Sequence, residues 1–180
     1  QLLNRLDDLL QEAAAVDPKV QEEPRAFDKQ AKTAVLMVNG FNGLGLHTLF
    51  NVLRFFGKEF RNFVFLEIGV VDAGNFKGIA DMQDLKTSVD KDVQRYVSFM
   101  RGKGYYAEGL AFIGTDVING ARAMIPEILK RHPNAVFFGG QLVFPKETFA
   151  NRWLHNYTVF TMQRIFYREG IPFVILPIRV

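Results

Sequence analysis

The sequence predicts an α/β protein built on a doubly wound, mainly parallel sheet of five strands in the order 3-2-1-4-5. Two observations predict it. Short apolar runs that do not alternate with polar residues, the mark of strands covered on both faces, recur along the chain. Between successive runs lie stretches whose apolar residues return every three or four positions, the period of a helix. Strand and helix in strict alternation give parallel strands joined by crossovers, with helices on both faces of the sheet.

Taken in order, residues 1–16 carry Leu2, Leu6, Leu9, Ala13 and Val16 as a narrow apolar helical stripe. This helix lies on its own domain, or it pairs with another copy or an upstream domain. Residues 17–32 are polar, hold two prolines and lack periodicity, so they read as a linker. The segment 1–32 thus precedes a single α/β domain over residues 33–180.

The first strand, residues 33–38, runs into Gly40-Phe-Asn-Gly-Leu-Gly45 and then a helix with Leu46, Leu49, Phe50 and Leu53 on one face, stopping near Gly57. A second apolar run, residues 63–71, is broken only by Glu67 and ends at Asp72-Ala-Gly74. The long helix that follows puts Leu85, Val89, Val93, Tyr96, Val97 and Met100 on one face and closes at Gly102 and Gly104. Strand three, residues 107–113, hands over at Gly114-Thr-Asp116 to a helix with Val117, Ala121, Met124, Ile125 and Ile128 inward, which Pro126 should kink or restart. Strand four, residues 135–140, ends in a Gly139-Gly140 turn and a brief extended excursion. Residues 147–169 form a helix with Phe149, Trp153, Tyr157 and Phe160 along one side, and residues 173–177 supply the last strand.

At 180 residues the chain is long enough to bury a core without disulfides or metals, and with 48% hydrophobic and 23% charged residues it is globular in composition. Its eighteen phenylalanines call for an aromatic core or an exposed patch that meets a partner. The absence of cysteine excludes disulfides and thiolate chemistry. No run of about twenty apolar residues is long enough to span a bilayer, and no signal pattern opens the chain. It begins on Gln1 inside a helical pattern, as a piece of a longer protein would. The net charge of +3 is small and its basic residues are scattered among acids, so nucleic acid is not indicated.

A ligand of such a sheet sits at the switch point, here between strands one and four, flanked by the loop after strand one and by Gly139 and Gly140. Gly40-Phe-Asn-Gly-Leu-Gly45 opens a helix, where an anion would be welcomed, but its spacing is neither the dinucleotide fingerprint nor a phosphate loop. The crevice candidates are Asn39, Gly40, Asn42, Gly43, Gly45, Asp72, Gly139 and Gly140. Asn39, Asp72 and Asp116 stand at or just after strand ends, where binding residues collect, and all three are also favoured turn and N-cap types. His47, His132 and His155 are too far apart for a metal motif, no serine occupies a nucleophile elbow, and nothing argues for an enzyme.

Several segments together carry a resemblance. They are Val38-Asn-Gly-Phe-Asn-Gly-Leu-Gly-Leu-His-Thr-Leu49, Asn62-Phe-Val-Phe65, Gly69-Val-Val-Asp72 with Phe76-Lys-Gly78, Phe137-Phe-Gly-Gly-Gln-Leu-Val-Phe144, His155-Asn156 with Gln163-Arg164, and the closing Val174-Ile-Leu-Pro-Ile-Arg-Val180. Over residues 33–180 the chain resembles the C-terminal cytosolic domain of amino-acid-permease-type transporters, relatives of the cation-chloride cotransporters in the amino acid, polyamine and organocation superfamily. The resemblance implies a universal-stress-protein-like domain below a transmembrane bundle of the same polypeptide. Such a domain regulates the transporter or assembles its homodimer on the cytoplasmic side of the membrane, with no cofactor of its own. ATP-binding universal stress proteins carry an aspartate at the end of the first strand and G-x-x-G-x₉-G-[ST] after the fourth. Here Asn39 takes the first position and the glycines after Gly140 are missing, which puts ATP in doubt. A nucleotide held through the loop at Gly40, Gly43 and Gly45 is the alternative expectation.

Overall fold

The computed structural model describes residues 25–71, 78–143 and 149–179. Its elements are β1 (Lys32–Val38), α1 (Gly43–Phe56), a 3-10 turn (Gly57–Glu59), β2 (Phe60–Val70), α2 (Ile79–Gly102), β3 (Tyr106–Gly114), α3 (Val117–Arg131), β4 (Ala135–Val143), α4 (Phe149–Arg168) and β5 (Phe173–Arg179). The five strands pair in parallel in the order β3-β2-β1-β4-β5. The fold is the doubly wound α/β class that the alternation predicts.

β1 is central because both its faces are covered. Ala34, Leu36 and Val38 join Phe63 and Phe65 of β2 beneath α1 and α2, while Val35 joins Val64, Leu66 and Ile68 beneath α3 and α4. Each side chain of this size, once buried, contributes about 1.5–3 kcal/mol relative to exposure. Most of the aromatic excess goes into these two layers. Phe65 stacks on Tyr96 at 4.9 Å, Phe60 meets Phe138 edge-on at 5.5 Å, and Phe137 meets Phe166 at 4.8 Å. Phe55 and Phe160 stay at the surface.

Several local expectations are corrected. Gly139 and Gly140 do not form a turn: β4 runs on to Val143, and both pair with Ile175 and Leu176 of β5. They are glycines because each strand face is crowded there. A Cβ on Gly139 would lie 2.7 Å from Val159, and one on Gly140 would run into Thr48. Pro126 does not restart α3, which is continuous over Val117–Arg131. The proline sits on the exposed face, where water can serve the carbonyl that loses its helical donor. In α4 the inward residues are Met162 and Phe166, one turn apart, and Phe160 is 42% exposed. The stripe proposed through Phe160 is therefore offset from the core-facing side, and the side chains of Phe149, Trp153 and Tyr157 lie outside the described residues. β2 also starts three residues earlier than residue 63, since the 3-10 turn returns the chain directly to the sheet.

The first helix, residues 1–16, lies outside the described residues. Residues 25–31, the end of the stretch read as a linker, have no helix or strand but are fastened to the amino-terminal edge of the sheet. Asp28 N–H donates to Asn62 Oδ1 (3.3 Å), Asn62 Nδ2 donates to the Asp28 carbonyl (2.7 Å), and Phe27 packs edge-on against His132 at 5.0 Å.

Candidate functional site

A cleft of about 630 Å³ opens at the carboxyl edge of the sheet, within the usual range for small-molecule sites. It lies at the predicted switch point, and Asn39, Asn42, Gly45, Gly139 and Gly140 line it. Gly40 and Gly43 are not in its wall, and Asp72 lies outside the described residues.

The loop that forms one side is built from its own hydrogen bonds. Asn42, not Asn39, caps α1: its backbone is extended, its Oδ1 accepts Gly45 N–H at 3.1 Å, and its Nδ2 donates to the Asn39 carbonyl at 2.6 Å. Asp116 caps α3 as expected, accepting Asn119 N–H at 2.8 Å. Gly40 has a φ of 78°, a conformation that glycine adopts without strain. Its N–H donates to Glu67 Oε1 at 2.9 Å and its carbonyl accepts the Tyr96 hydroxyl at 3.1 Å. Gly45 serves close packing, since a Cβ there would run into the same hydroxyl. Its absent side chain lets Tyr96 of α2 reach under α1 and hold the loop. The glycine-rich spacing thus answers to a helix–helix approach and a tight turn more than to a phosphate.

Glu67 is the residue that sequence reasoning passed over. It projects from β2 onto the α1/α2 side, beside Val38 in the register, and is only 5% exposed. Oε1 is held by Gly40, whereas Oε2 is buried with no hydrogen-bond partner. Burial pushes the Glu67 carboxyl up to about 7; the Gly40 N–H pulls against the shift and the nearby Asp92 charge adds to it. Burial likewise raises the Tyr96 hydroxyl, which stays protonated and donates to Gly40. The signal was present in the sequence as the single charge inside the buried run of β2. Among the described residues that line the cleft, Glu67 is the only ionisable one.

A second polar cluster occupies the opposite edge. His132 is 1% exposed, with Nδ1 at 3.1 Å from Thr33 Oγ1 and Nε2 at 2.5 Å from Glu108 Oε1. The row Thr33, His132, Glu108 has the residue types of a hydroxyl, base and acid relay. Its setting is structural. Thr33 is fully buried and its Oγ1 also accepts Asn62 Nδ2 at 3.1 Å, so the imidazole is one member of a buried chain of hydrogen bonds that runs from Asn62 to Glu108. Burial pushes Glu108 up, but His132, Tyr106 and Arg131 together hold its carboxyl below the usual range. Among the described residues no group of three or more His, Asp or Glu is placed to hold a metal ion.

The sequence matches none of the known protein-family models, and no curated protein is significantly similar to it. What stands on the geometry is a doubly wound α/β domain with a cleft at its switch point. No helix among the described residues is long and apolar enough to cross a membrane.

Proposed function

We propose that this chain is a non-enzymatic regulatory and self-association domain of a secondary membrane transporter of the amino-acid-permease or cation-chloride type, carried on the cytoplasmic side by the transmembrane part of the same polypeptide. The observation that carries self-association is apolar side chains exposed at the end of β2 and the start of α2. Ile79 and Met82, one turn apart at the start of α2, are 72% and 41% exposed, and Val70 at the end of β2 is 42% exposed. Grouped apolar side chains on the surface mark interaction sites. The regulatory role rests on the resemblance alone. The membrane setting rests on the resemblance of residues 33–180 alone.

The reading is tested in the gene. About twelve upstream segments of roughly twenty apolar residues each, followed by altered uptake when residues 33–180 are deleted from the full polypeptide, are the expected result. An upstream frame with no such segments removes the transporter reading.

Nucleotide or small-anion sensing at the cleft remains the second reading, favoured by the position of Asn39, Asn42, Gly45, Gly139 and Gly140 around one opening. The Glu67 carboxyl in its wall weighs against an anionic ligand.

A further inference from the structure

Glu67 makes the cleft chemically one-sided. A carboxyl that is nine-tenths buried and bonded through only one oxygen is a costly arrangement, because an unsatisfied buried polar atom loses its hydration without compensation. No described residue relieves it: Asp92 and Tyr96 face it from α2, the Gly40 amide faces it from the loop, and Val38 lies beside it on β1. Arg95, whose charge acts on Tyr96, has its guanidinium 3.9 Å over the ring of Phe41. Asn39, Asn42 and Ser88 add neutral polar groups to the wall, and Leu85 and Val89 lie close enough to Gly69 to crowd any side chain there.

We infer that the cleft binds a small molecule carrying a protonated amine on an apolar body, with the ammonium on Glu67 and the body against Val38, Leu85 and Val89. An ammonium supplies both the missing donor for Oε2 and the charge that balances Glu67 and Asp92. A charge-assisted hydrogen bond of this kind is stronger than a neutral one. A metal cation is a poorer fit, because the wall offers one carboxylate and no further charged ligand. The inference rests on the cleft and is independent of the transporter reading.

The test uses the chain as it is, at pH 8, with isobutylamine as probe and isobutanol, isobutyrate, AMP and potassium as comparisons, read by titration calorimetry and by the backbone amide signal of Gly40. Isobutylamine binds and moves the Gly40 signal, while the comparisons do not. Glu67→Gln weakens the amine at least tenfold. Ser88→Trp, at an exposed position of α2 on the cleft wall, weakens it with Glu67 intact and guards against a folding defect in the first variant. Equal binding of isobutylamine and isobutanol, preference for isobutyrate, AMP or potassium, no binding at all, or full affinity in Glu67→Gln each overturns the inference. None of these outcomes bears on whether the chain dimerises.

Discussion

His132 Nε2 lies 2.5 Å from Glu108 Oε1, joining the end of α3 to β3, and the other ring nitrogen ties the same imidazole to Thr33 at the start of β1. One ring thus bolts together three elements that are distant in sequence. His132→Ala leaves Thr33 and Glu108 with lost partners in a buried space and costs about 3 kcal/mol of stability. Urea unfolding checks it: the midpoint falls while the slope is unchanged. A loss under about 0.5 kcal/mol, the scale of an ordinary surface substitution, contradicts the account.

The clasp on residues 25–31 depends on the same cluster. Asn62 is 1% exposed and holds Asp28 at two points. Asn62→Ala frees that segment, and trypsin then cuts at Arg25 and Lys29 faster than in the parent, with cleavage elsewhere unchanged until the domain unfolds. Equal rates in parent and variant show that the clasp does not hold.

Gly45 and Tyr96 form a coupled pair. Gly45→Ala drives a methyl group into a tyrosine that is fully buried and stacked on Phe65, so the ring has little room to retreat. The expected cost is about 2–3 kcal/mol, in the range of overpacked cores. Tyr96→Phe alone loses the bonds to Gly40 and Asn42, about 1–2 kcal/mol. The double variant loses less than the sum, because the hydroxyl that clashes is gone. Additive losses contradict the contact.

Glu67 sets a pH dependence. Its folded value, about 7, lies above its ordinary 4.5. Its stabilising contribution is complete below pH 4.5 and is lost as pH rises to about 7, because in that window the unfolded chain has released the proton and the folded chain keeps it. Asp92, Tyr96 and the Gly40 amide are the groups that face it. The loss is on the order of 1–3 kcal/mol, and Glu67→Gln flattens the stability profile across the window. A parent and variant with parallel profiles contradict it.

The fold was legible because its signals are collective. Five unalternating apolar runs and the helical stripes between them, such as Val89, Val93, Tyr96 and Met100, are averages over many residues, and the structure places them as the pattern requires. Single-residue readings were less secure. Gly139 and Gly140 look like a turn in the sequence, because a glycine kept for close packing across strands has the same letter as one kept for a bend. Asn39 and Asn42 are both capping types three positions apart, and only the path of the loop decides which one caps α1. Phe160 departs from its predicted inward place because Met162 and Phe166 set the core-facing side of the described part of α4. Glu67 was visible as the one charge in the buried run of β2, but its meaning depended on a partnerless oxygen that no sequence shows.

The central claim, self-association through the apolar side chains exposed at the start of α2, Ile79 and Met82, and at the end of β2, Val70, is tested most directly by sedimentation equilibrium of the chain over a hundredfold range of concentration. The account predicts a reversible monomer–dimer equilibrium that Ile79→Asp with Met82→Asp shifts to monomer while the circular dichroism spectrum is unchanged. A single monomeric species at every concentration, or a dimer that the double substitution leaves intact, contradicts it.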